Sequence, residues 1–223
     1  MKRTKLSNRQ LPNYSRGEEI MNMVTHIVGG GLGVIAFSLC LIKAILKSDP
    51  IGGIGAGIYG VTMIALYTVS SVYHGLRTQT SKKVMQIIDH CSIYFLIAGT
   101  YTPIALSALL PIYPALGTGL LAAEWLLAIT AGTLTAFDLK KYNIFSMICY
   151  IGMGWGIIFF IPQALVALSA PGFALILAGG IVYTVGAILY GIGSKIHWIH
   201  SVFHIFVVLG SFLQFLGIFL YVI

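Results

Sequence analysis

His200 and His204 stand four residues apart in the apolar run HSVFHIFVVLG. On an α-helix that spacing puts both imidazoles on one face, one turn apart. Two imidazoles so placed can grip a divalent metal ion. An ionisable side chain at membrane depth is costly and marks a functional position by default. His74 and Asp89 fall at a comparable depth on other segments. Counting ~1.5 Å of rise per residue from Arg77, Lys83 and Lys195, His74 lies about 5 Å inside the boundary, Asp89 about 9 Å, and His200 and His204 about 8 and 13 Å. Ser70 stands one turn deeper than His74 on the same face.

Three neutral imidazoles with an open fourth position are a known catalytic zinc set. Zinc would lower the pKa of a water there toward about 7 and polarise a carbonyl. Asp89 can then serve as general base. Ser70 can orient the network or stabilise an oxyanion. The alternative is a set of interhelical hydrogen bonds, Ser70 with His74 and Asp89 with a histidine. It accommodates one or two groups easily and four at one depth less so. The residues alone leave both readings open.

The elements that must carry these groups are membrane helices. Of 223 residues, 58% are hydrophobic and 9% charged, and mean hydropathy is +0.93. That balance excludes a soluble globular domain. Seven stretches reach the ~20 apolar residues a span needs: 23–46, 52–75, 84–106, 115–136, 144–162, 172–193 and 198–222. The expectation is an all-α, seven-transmembrane helix bundle over 23–223, preceded by a polar, basic segment 1–22. The first apolar stretch is too long for a signal-peptide core and lacks an A-x-A-like site, so it reads as a retained helix.

Basic residues set the expected orientation. With the N-terminus inside, one side holds Lys2, Arg3, Lys5, Arg9, Arg16, Arg77, Lys82, Lys83, Lys140, Lys141 and Lys195, and the other only Lys43 and Lys47. The N-terminus is thus expected in the cytoplasm and the C-terminus outside, the reverse of G-protein-coupled receptors. The net charge of +7 is dispersed among short loops, which argues against a nucleic-acid partner. Cys40, Cys91 and Cys149 stand singly in apolar segments and read as core residues. The glycine runs at 29–33 and 52–57 suit close helix packing. A phosphate-binding loop needs a preceding strand, which is lacking here.

In combination, EEIMNMVTH at 18–26, SSVYH at 70–74, IDHCSIYFLIAGTYTP at 88–103 and HSVFH at 200–204 resemble the bacterial hemolysin III family. That family is grouped with the progestin and adiponectin receptors and, more distantly, the alkaline ceramidases. The resemblance spans all seven segments. It implies a zinc-dependent intramembrane hydrolase in a bacterial plasma membrane. His74, His200 and His204 would be the zinc ligands, Asp89 would hold the water, and Ser70 would support it. The long N-terminal region of the animal receptors has no counterpart here, so their hormone binding does not carry over.

Other polar residues admit two readings each. Glu19, Asn22 and His26 share one face of the first helix, as the mouth of the site or as an interfacial packing set. His90 points about 100° away from Asp89, which suits a hydrogen-bonding role, with a ligand swap with His74 as the alternative. His197 beside Trp198 is a normal interfacial residue. Glu124, near the middle of the fourth segment, is expected to make an interhelical hydrogen bond, with a proton relay as the alternative. Asp138, beside Lys140 and Lys141, reads as solvated. Tyr67, Tyr73, Tyr94, Tyr101 and Trp155 are packing residues or the lining of a lipid cavity. Three functions compete: a zinc hydrolase of lipid amides or esters with membrane lipids as partners, a cytolytic pore-former, and a membrane sensor whose zinc is structural. A pore needs a polar stripe through the whole bilayer, and the outer halves of these helices are mostly apolar.

Overall fold

The fold is taken from a computed structural model that describes residues 3–193 and 196–223. Lys2 and Lys195, counted above for orientation, lie outside the described residues. The chain forms α1 (Arg16–Leu46), α2 (Pro50–Gly75), α3 (Gln79–Pro103), α4 (Pro114–Phe137), α5 (Asn143–Gly154), α6 (Ile161–Gly193) and α7 (Ile199–Tyr221). Among the described residues, six helical runs are long and apolar enough to cross a membrane. Segments five and six of the sequence reading are joined in one such run, Asn143–Ile192. A 3₁₀ stretch, Gly156–Phe160, links α5 to α6. The stretch 163–168, which lies between the expected spans 144–162 and 172–193, is helical. The break falls at Ser169, with φ 60° and ψ 164°, a conformation that cannot continue a right-handed helix.

Helix starts and stops follow local chemistry. Ser15 accepts a hydrogen bond from the Glu18 amide, and Glu18 returns one from the Ser15 amide, a capping box. It starts α1 at Arg16, about two turns ahead of the apolar stretch. Asp49 caps α2, with Pro50 at the first helical position, where its missing N–H costs nothing. Pro103 cannot donate to the α3 ladder. The helix there widens to a π-helical stretch, Ile104–Leu109.

Small residues set the packing of α1 on α2. A Cβ added to Gly60 would lie 2.5 Å from the Phe37 Cβ, so only glycine allows that approach. Two ends fix relative directions. At one end of α1, Glu18 accepts a hydrogen bond from the Trp198 amide at the start of α7. At the other, Lys43 donates to the Phe219 carbonyl and Lys47 to that of Ile223. Helices α1 and α7 therefore run parallel. Many large apolar side chains stay exposed along the helices, Val28, Leu46 and Ile148 among them, as a lipid-facing surface demands.

The N-terminal segment folds back over the ends of α3, α4 and α7. The Thr4 amide donates to Asp138 at 2.8 Å, Lys83 donates to the Ser7 carbonyl, and Tyr14 stacks on His200. Asp138, expected to be solvated, is buried. The Thr4 amide holds its carboxyl down at about 2, below the usual 3.8. A carboxylate depressed by folding stabilises the fold above its unfolded pKa, and that contribution is lost as pH falls from about 4 toward 2. Hydrogen exchange of residues 3–9, corrected for intrinsic rates, should rise across that window. Asp138→Ala should raise it at neutral pH and speed tryptic cleavage after Lys5. Unchanged protection in the variant would refute the tether.

Candidate metal centre

His74 sits on the last turn of α2, and His200 and His204 on the first two turns of α7. All three are buried, and one nitrogen of each lies within 4.8 Å of the others. The Nε2 atoms of His200 and His204 are 3.1 Å apart. Two nitrogens on a tetrahedral zinc at ~2.05 Å would stand roughly 3.3 Å apart.

The opposite ring nitrogens of His74 and His204 are engaged, which sets their tautomers. His74 Nδ1 lies 2.7 Å from a Glu19 carboxylate oxygen, which can only accept. The proton is therefore on Nδ1, and the Nε2 lone pair is buried with no partner. His204 Nδ1 lies 3.2 Å from the Asn22 carbonyl oxygen, so its Nε2 lone pair also faces inward. A metal ligand held by a carboxylate or carbonyl through its other ring nitrogen is the usual outer-sphere pattern. The second Glu19 oxygen takes the buried Lys82 ammonium at 2.6 Å. The Asn22 side chain accepts from Ser201 at 2.6 Å, which fixes α7 one residue beyond His200.

Glu18 positions His200 from below. Trp198, at the N-cap of α7, has φ 67°, a strained backbone for a bulky residue. Its amide donates to Glu18 at 2.8 Å, and the carboxylate also suits the positive end of the α7 dipole. Tyr14 stacks on His200 with ring centroids 4.8 Å apart, and His26 stacks on His204 at 3.7 Å.

Asp89 and Ser70 line a cavity of about 180 Å³ together with His200 and His204. The Ser70 hydroxyl faces the Asp89 carboxylate. The histidine nearest Asp89 is His90, at 3.7 Å. His90 bonds the Gln86 carbonyl and the Tyr190 hydroxyl, as a hydrogen-bonding residue. Tyr101, Trp155 and Gln214 line the far end of the cavity, where apolar wall dominates. The interhelical bond expected for Glu124 is not found among the described residues: one carboxylate oxygen is buried without a partner.

Glu19, Asn22 and His26 contact the clustered histidines directly rather than only edging a mouth. Sequence reasoning left out Glu18 and Tyr14. The pattern Ser15-x-x-Glu18 carries the signal for the first. Nothing local marks Tyr14, whose partner is 186 positions away in the chain.

These features define a multi-pass helical membrane protein with a buried three-histidine cluster able to hold a metal ion. Residues 14–215 match the family described as Haemolysin-III related, and the chain belongs to that family. It is 39% identical to Hemolysin-3 of Bacillus cereus over 168 residues, 75% of each chain. It is 36% identical to the Hemolysin-3 homolog of Bacillus subtilis (strain 168), over 75% of this chain and 78% of that one. A human relative, monocyte to macrophage differentiation factor, is 31% identical over 62% of this chain and 58% of its own.

Proposed function

We propose that this protein is a zinc-dependent hydrolase of lipid amide or ester bonds in a bacterial plasma membrane. The observation that carries the reading is the donor set. Two outer hydrogen bonds, from His74 to Glu19 and from His204 to Asn22, aim Nε2 lone pairs inward beside a cavity that holds Asp89. An all-imidazole, buried set fits zinc, although imidazole also suits other divalent metals.

His74, His200 and His204 would hold the ion, which supplies a Lewis acid and a low-pKa water when bound. Asp89 takes the proton from the attacking water. Ser70 holds the Asp89 carboxylate in place through its hydroxyl. Glu19, with Lys82 behind it, and Asn22 keep His74 and His204 in the ligating tautomer. The aromatic far wall of the cavity shelters an acyl chain and keeps bulk water from the reacting carbonyl.

Seven crossings, with the N-terminus cytoplasmic, complete the reading. Contacts at both ends support the count. The end of α4 meets Thr4, and the start of α7 meets Glu18, so both lie at the N-terminal face. The run between them must leave that face and return. Its break at Ser169 is followed by Gly172, packed against Tyr221 at the far end of α7. Arg3, Lys5, Arg9, Arg16, Arg77, Lys82, Lys83, Lys140 and Lys141 gather at the N-terminal face, which supports its cytoplasmic side.

Metal content of the purified protein tests the site, with His204→Ala beside the native chain. About one zinc per chain, lost in the variant, is expected. A panel of fluorogenic lipid amides and esters should then yield a substrate cleaved by the native chain alone. Carefully prepared native protein without bound metal would overturn the proposal.

A further inference from the structure

A guanidinium stays protonated at any physiological pH, and burying one without a partner is costly. Arg9 is 6% exposed, and its three guanidinium nitrogens are all buried with no hydrogen-bond partner among the described residues. Asp138 lies near enough to offset part of the Arg9 charge, but among the described residues no hydrogen bond joins the two, and the Asp138 oxygens accept from the Thr4 and Lys141 amides.

Arg9 borders a polar pocket of about 370 Å³ at the N-terminal face. Lys140 adds a second positive charge to its wall, and Asn8 and Asn143 add neutral donors. None of the lining side chains is acidic. Gln86, His90 and Tyr190 form part of this wall and also part of the wall of the cavity beside the histidines. The two spaces are neighbours across that partition.

We propose that Arg9, with Lys140, Asn8 and Asn143, forms a binding site for a phosphate-type oxyanion beside the histidine cavity. A planar guanidinium fork matches two oxygens of such a group, and charge-assisted bonds to it are about twice as strong as neutral ones. The Arg9 nitrogens are closed off from the pocket as it stands, so binding turns the guanidinium toward the anion, which then supplies the hydrogen-bond partner that Arg9 lacks. The site itself needs no metal. That the anion is the headgroup of a lipid reaching the histidines rests on the hydrolase reading.

The test uses the full chain in an uncharged maltoside detergent, titrated by calorimetry with three probes: dioctanoyl phosphatidic acid, dioctanoylglycerol and inorganic phosphate. Phosphatidic acid should bind the native chain about tenfold or more tightly than it binds Arg9→Gln. A smaller loss is expected for Lys140→Gln, and no change for dioctanoylglycerol. Arg9-dependent binding of phosphatidic acid alone identifies a lipid headgroup as the source. Arg9-dependent binding of inorganic phosphate as well identifies a free anion. Equal affinity of the native chain and the variants for both phosphate probes overturns the site. Should Arg9→Gln fail to give a monodisperse protein, Arg9→Lys and Lys140→Gln decide, and both must weaken binding. His204→Ala should keep its Arg9-dependent phosphate binding, so loss of the hydrolase reading leaves this result standing.

Discussion

Asp89→Asn is expected to cut lipid hydrolysis by about 10²–10⁴-fold, the usual contribution of a positioned general base, while one metal ion per chain is retained. Asparagine keeps the size of the side chain and can still accept from Ser70, so the cavity wall beside His200 and His204 should keep its shape. It cannot take a proton from water. The loss should fall on kcat, because the carboxylate acts in the transition state and not in holding the lipid. Paired measurements of kcat and metal content decide the matter. A variant with full metal and undiminished hydrolysis would remove Asp89 from the reaction. If every function of the chain survived the substitution, the metal would be read as a brace between α2 and α7.

The second large effect concerns Glu19. Its carboxylate fixes the His74 tautomer at 2.7 Å and pairs with Lys82 at 2.6 Å. In Glu19→Ala the imidazole is free to carry its proton on either nitrogen and to turn, and the buried ammonium loses its counter-charge. Loss of such an outer partner typically weakens metal binding 10–100-fold. Competition with a chelator of known affinity, for the native chain and for Glu19→Ala, should give a shift of that size. Glu19→Gln, which still accepts from Nδ1, should fall between them. His197→Ala serves as the control. His197 is exposed and, among the described residues, hydrogen-bonds only to Glu18, at 3.4 Å, so its loss should leave metal affinity unchanged. Equal affinities in the native chain and Glu19→Ala would show that packing alone orients His74.

Much of the candidate site could be read from the chain because helical periodicity is local. His200 and His204 four apart on one apolar segment, and Ser70 and His74 four apart on another, define faces without knowledge of the fold. The Glu19, Asn22 and His26 face was legible for the same reason, but the partners of that face were not. Glu19 meets His74 across 55 positions, and Asn22 meets Ser201 across 179. Nothing in residue spacing ranks such pairs. Asp138 was misjudged on similar grounds. A carboxylate flanked by lysines reads as solvated, yet the returning N-terminal segment buries it. The helical run through 163–168 was missed because Pro162 and Pro171 look like the two ends of a loop. Pro162 instead occupies the first turn of α6, where proline is tolerated.

By itself the sequence determined the class of the protein, since 58% apolar residues in stretches of about 20 can satisfy their backbones in lipid only as helices. It also determined which residue types could bind a metal, and the helix faces that present them. The tertiary structure decided the rest. It brought α2 beside α7 so that three imidazoles converge, turned Glu19 and Asn22 onto their outer nitrogens, and laid Tyr14 over His200. It also buried Arg9 without a hydrogen-bond partner among the described residues. The physical reason is range. Hydrophobic periodicity and capping act within a few turns of one helix, whereas convergence depends on which small-residue faces of different helices pack together.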